Sequence, residues 1–216
     1  MTSWKRKSAL RWAVLAILAA APWQQIAAQQ QQRPMRVAAD LREAPRRIFH
    51  ARLEIPVKAG PFTLVYPKWI PGEHSPNGPI SDLTGLKFTG SGKAIAWRRD
   101  DTNMFAFHCQ IPAGVETLEV SLDYLSPSAG DTIAGSPSAT AQVAVLNWNQ
   151  ILLYPQGAKS DDVRVVASLR VPAGWRFATA LTKARDSGEE IEFEPVSLTT
   201  LVDSTVLAGE IGRAHV

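Results

Sequence analysis

The sequence predicts an all-β fold, an antiparallel β-sandwich or saddle-like pair of sheets, behind an N-terminal signal peptide. Three observations predict it. Past the leader the chain breaks into short runs rich in Val, Ile, Leu, Phe, Trp and Thr, bounded by Pro and Gly, the pattern of strands and turns. The run Thr117-Leu118-Glu119-Val120-Ser121-Leu122-Asp123-Tyr124 alternates apolar even with polar odd positions, which sets one face on a core and the other in water. Outside the leader no stretch sustains a helical period.

The leader comes first. Lys5, Arg6, Lys7 and Arg11 precede the apolar run Trp12 to Ala21, and the small residues Ala27 and Ala28 offer a cleavage site, so residues 1–28 read as a signal peptide. The run is too short to span a bilayer. An exported protein, periplasmic or secreted, is expected, with no transmembrane segment in the mature chain. A retained anchor is the alternative, since Pro22 and Trp23 make an irregular approach to the cleavage site. Residues 29–45, opening on Gln29 to Gln32, read as a polar leader and residues 46–209 as the β domain.

Within that domain strands are expected near Ile48 to Val57, Phe62 to Lys68, Gly85 to Thr89, Ile95 to Asp100, Met104 to Ile111 and Thr117 to Leu125. Others follow at Gln142 to Leu153, Arg164 to Val171, Arg176 to Leu181, Glu190 to Glu194 and Leu198 to Leu207. Gln142 to Leu153 is apolar more continuously and reads as a central strand covered on both faces. Gly90-Ser91-Gly92-Lys93 reads as a tight hairpin; it lacks the earlier glycine and the Ser or Thr of a phosphate loop. Pro112-Ala113-Gly114 and Pro172-Ala173-Gly174 read as turns with Gly at the position that needs unusual φ. Ser126 to Thr140 is small and polar, the composition of a mobile excursion.

Leu64 to Ile80 holds Pro67, Pro71, Gly72, Pro76, Gly78 and Pro79 around Trp69. Proline fixes φ and glycine supplies values other residues avoid, so this is a shaped, rigid loop leaving a strand. Trp69, Pro71, Gly72, Glu73 and His74 are its candidate contact residues for substrate or a neighbouring domain, with Glu73-His74 able to sense pH or bind a polar ligand. A loop that merely crosses between sheets is the plainer reading. Trp69, Trp97, Trp148 and Trp175 are expected to pack inward, with an aromatic binding shelf as the alternative.

Charge and cysteine narrow the field. The formal charge is +3, but the leader holds four cations and no acid, leaving three minus four, or −1, for the rest. Lys and Arg are scattered there, which argues against a nucleic-acid partner. Cys109 is the sole cysteine, so no internal disulfide can form, and its alternating surroundings mark a packed core residue. No catalytic or metal-binding motif is expected in the domain. None of His50, His74, His108 or His215 begins the two-histidine helical motif of a zinc peptidase, leaving only a cross-strand set of His50, His74, Glu73 and His108 to consider. The G-x-S-x-G nucleophile turn is absent.

Trp69-Ile70-Pro71-Gly72, Asn147-Trp148-Asn149-Gln150, Leu152-Leu153-Tyr154-Pro155 and Val196 to Ser204, in that order, resemble the N-terminal β domain of metallopeptidase family sixty-one, the glycyl-aminopeptidase-like enzymes. The likeness runs from about Ile48 to Gly209. It departs at Glu73-His74, where many members carry Ser-Tyr. The resemblance implies a non-catalytic N-terminal domain of an exported zinc metallo-aminopeptidase-like protein. It implies that zinc, peptide substrate and often a PDZ domain belong to a catalytic part in cis beyond this chain. Glu210-Ile211-Gly212-Arg213-Ala214-His215-Val216 can be encoded by a common sequencing-adapter read, so residues 210–216 are expected to be a non-native tail. The alternative function is a free-standing exported β-sandwich module that binds peptide or carbohydrate; a structural interaction domain is a third.

Overall fold

Residues 33–69, 75–127 and 138–210 are described by the structure, a computed structural model. The signal-peptide reading and all of the adapter-tail reading except Glu210 fall on residues outside that set, as do Pro71, Gly72, Glu73, His74 and the middle of the Ser126 to Thr140 excursion.

The first strand, β1 (Met35–Asp40), lies inside the segment read as a polar leader. Its alternation is short but complete: Met35, Val37 and Ala39 are buried, while Arg36 is exposed. Next come β2 (Ile48–Pro56), β3 (Gly60–Val65), β4 (Leu83–Gly90), β5 (Lys93–Ala94), β6 (Trp97–Arg99), β7 (Ala106–Ile111) and β8 (Thr117–Leu125). The second half holds β9 (Val143–Leu146), β10 (Tyr154–Pro155), β11 (Arg164–Arg170), β12 (Arg176–Ala178), β13 (Lys183–Asp186), β14 (Ile191–Phe193), β15 (Val196–Ser197), the helix α1 (Leu198–Asp203) and β16 (Val206–Gly209).

Three sheets form. The large one runs β13-β14-β11-β1-β2-β8-β4-β5, with β15 also paired to β11; the others run β10-β3-β7-β6 and β12-β16-β9. Pairing is antiparallel except between β1 and β11, which run parallel with Val37 opposite Ala167. One face of the large sheet presents Val37, Phe49, Leu53, Leu118, Val120, Tyr124 and Leu169 to a common core that also takes Leu64, Phe107 and Trp148. The other face carries Arg36, His50, Arg52, Glu119, Ser121 and Asp123, as period-two alternation requires.

Gln142 to Leu153 is not one strand. It breaks into β9, a 3-10 turn at Trp148–Ile151 and β10. The reason lies in its polar members: Gln150 accepts from the Asn147 backbone N–H at 3.1 Å and donates through Nε2 to Ser138 Oγ at 2.7 Å, which a ladder geometry would forbid. Leu198 to Leu207 also departs from expectation, becoming α1 followed by β16. Ser197 caps the helix by accepting from the Thr200 N–H at 3.1 Å, and Leu198 and Leu201, three apart, share its buried side.

The hairpin at Gly90 to Lys93 is present, with φ of 50° at Ser91 and 74° at Gly92, the left-handed pair of a two-residue turn. Cys109 is buried in the core. Trp148 and Trp175 pack inward, as expected. Trp69 and Trp97 do not: Trp69 is 60% exposed, and Trp97 leans from an edge strand onto Phe88 and Phe107 with one face in water.

Candidate functional site

Strand β3 delivers the proline-rich loop. Tyr66 and Pro67 are buried at its start, and Tyr66 Oη donates to the Gln150 carbonyl at 2.9 Å. The loop is closed at its neck by the Gly78 N–H donating to the Lys68 carbonyl at 2.9 Å. A Cβ at position 78 would collide with the Pro67 carbonyl, so only glycine lets the two sides meet. Ile80 then plugs into the core. Trp69 stands at the neck, largely in solvent; it is the one candidate contact residue of this loop among the described residues.

Of the cross-strand histidine set, His50 and His108 are not brought together, and Glu73 and His74 lie outside the described residues. His50 is on β2 of the large sheet, where Nδ1 pairs with Asp123 Oδ1 at 2.6 Å and Nε2 reaches Glu43 Oε2 at 3.4 Å. His108 is on β7 of the second sheet, where Nε2 pairs with Asp100 Oδ2 at 2.8 Å and Nδ1 with Thr63 Oγ1 at 2.9 Å. Each imidazole has both nitrogens engaged. Among the described residues, no group of three or more His, Cys, Asp or Glu is arranged to hold a metal ion.

A polar groove of about 460 Å³ lies on the solvent face of the large sheet. Sequence reasoning passed over it, although its members occupy the polar positions of the alternating strands. Cross-strand register builds it in rows. Arg52 on β2 faces Ser121 on β8, which faces Lys87 on β4; one step along, His50 faces Asp123. A bulge between Thr84 and Lys87 breaks the β4 ladder beside Asp123. There Gly85 has φ of 63°, and a Cβ on it would fall 2.5 Å from Asp123 Oδ2. Glycine is required twice over, for the left-handed backbone and for the carboxylate's room.

The charges around the groove are partly matched. Arg42 binds Asp40 through both carboxylate oxygens, and Arg170 pairs with Glu190 at 2.9 Å. Burial works against charge on both His50 and Asp40, yet each is net shifted toward its charged form. Asp123 and Glu43 raise the imidazole's pKa, and Arg42 lowers the carboxyl's. Hydrogen bonds from Ser168 and then Arg170 lower Glu190. Arg52 and Lys87 are exposed and form no ion pair with any described residue. The arrangement can hold an anion; among the described residues it brings no nucleophile together with an oriented base.

The Peptidase M61 N-terminal domain model matches residues 36–210. Among solved structures, the chain superimposes on an aminopeptidase N family protein from Idiomarina loihiensis with a TM-score of 0.66 at 15% identity, covering 82% of this chain and 29% of that one. An M1 zinc metallopeptidase from Deinococcus radiodurans gives 0.46 at 13% identity, over 82% of this chain and 41% of that one. Leukotriene A4 hydrolase from Saccharomyces cerevisiae gives 0.48 at 9%, over 84% and 29%. The chain thus spans less than half the length of each. No protein of curated function matches the sequence.

Proposed function

Because the chain belongs to the Peptidase M61 N-terminal domain family, matched over residues 36–210, we propose that it is the non-catalytic β domain of an exported zinc metallo-aminopeptidase-like protein. That family match is the observation that carries the reading. In this reading the zinc, the water it activates and the peptide-binding cleft reside in a catalytic domain in cis, and this domain packs beside it and shapes access for peptide substrate. Two features support the division of labour. His50 and His108 are held on different sheets by carboxylates of their own, and Cys109 is a core thiol whose pKa burial raises. Export is supported by the basic and apolar leader of residues 1–28.

Two measurements test it. Sequencing the gene past the codon for Gly209 is expected to reveal an in-frame helix bearing H-E-x-x-H; a stop codon in genuine genomic sequence there would favour the free-standing binding module instead. The purified 216-residue chain is expected to release no amino acid from peptides with zinc present. Release that a chelator abolishes would overturn the proposal.

The exposed Trp69 on its pinned loop is the observation that favours the module reading. Binding of a peptide or oligosaccharide that disappears in Trp69→Ala, together with the stop codon, would establish it.

A further inference from the structure

The geometry points to a carboxylate-binding site in the groove on the large sheet, centred on Ser121 with Arg52 and Lys87 as its two cations. It stands apart from the zinc-peptidase reading and needs no second domain. Ser121 lies between Arg52 and Lys87 in one cross-strand row, where directly opposed side chains start about 5 Å apart. An anion above the Ser121 hydroxyl therefore meets a cation from either side and a neutral hydroxyl beneath it. Both cations are exposed and lack a described ion-pair partner, whereas the neighbouring arginines of the groove, Arg42 and Arg170, are already taken by Asp40 and Glu190. A free arginine presents a planar fork that matches the two oxygens of a carboxylate, and a lysine adds a point charge.

The flanking rows set the charge of the ligand. Two positions from Ser121 along β8 stand Glu119 and Asp123. Asp123 is shared with His50 at 2.6 Å, while Glu119 takes only a hydroxyl from Thr89 at 3.3 Å. Carboxylates on both sides repel a dianion more than a monoanion, so a carboxylate suits the row better than a phosphate. The open groove, of about 460 Å³, admits a chain end or an acidic side chain, and the chemistry is the same for either.

The test is an NMR titration of the ¹⁵N-labelled full chain. Four probes are used: acetyl-triglycine with a free carboxylate, the same peptide as its amide, acetyl-Gly-Asp-Gly amide, and inorganic phosphate. Saturable shifts on β2, β4 and β8 are expected with the carboxylate probes and none with the triglycine amide; the tighter of the two carboxylates identifies the source as a chain terminus or a side chain. Arg52→Gln and Lys87→Gln should each weaken binding about threefold and together about tenfold, in line with exposed charge pairs. Lys58→Gln, two residues past the end of β2, should leave it unchanged. Absence of saturation with both carboxylates, equal shifts from the amide, unaltered binding in the double variant, or tighter binding of phosphate would each overturn the assignment.

Discussion

His50 is held by Asp123 on one side and Glu43 on the other. Its folded pKa is raised above the ordinary value of 6.5, so the stabilisation is fully present below about pH 6.5 and is lost as pH rises through the raised pKa. Thermal melts of the wild type are expected to show stability falling from pH 6.5 to 8 by under about 1 kcal/mol, since the pair is partly exposed. Asp123→Asn should flatten that slope; a slope unchanged in the variant would assign it to another group. Gln150 acts in the interior, where its amide serves Asn147, Ser138 and Tyr124, and burial pushes the Tyr124 phenol up to about 12. Gln150→Ala, followed by chemical denaturation, should cost about 1–3 kcal/mol by leaving buried partners unpaired. Neither role was legible in the sequence. Asp123 takes its partner from a distant segment, as Gln150 does with Tyr124, and the local Asn147-x-x-Gln150 pairing that bends Gln142 to Leu153 is masked by the apolar residues around it.

At the scale of elements, legibility tracked how local the cause was. The Ser91-Gly92 turn and the strand Thr117 to Leu125 were readable because adjacent residues dictate them. The helix α1 was not, because six residues are too few to display a period and are helical only through the Ser197 cap and the burial of Leu198 and Leu201. Ser197→Ala should lower stability by about 1 kcal/mol in denaturant titration. The neck of the proline loop was not readable, because the device that shuts it, Gly78 against Pro67, depends on two segments meeting. Gly78→Ala is expected to cost about 1–3 kcal/mol. It should also change the fluorescence of Trp69, which stands at the neck; unchanged emission and stability would mean that the neck relaxes freely.

Across the whole molecule, the three sheets feed one continuous core in which Trp148 is fully buried and bonds through its indole N–H to the Ser204 carbonyl at 2.9 Å. Backbone and aromatic probes should accordingly report one unfolding transition; circular dichroism in the far and near ultraviolet giving separate midpoints would refute a single cooperative unit. The large sheet also constrains how the chain is made. β1 sits between β2 and β11, and its partner β11 is encoded most of the domain's length later. A nascent polypeptide emerging from the ribosome therefore carries its first strand with one edge open until Arg164–Arg170 has been synthesised, and the middle of the sheet is closed almost last.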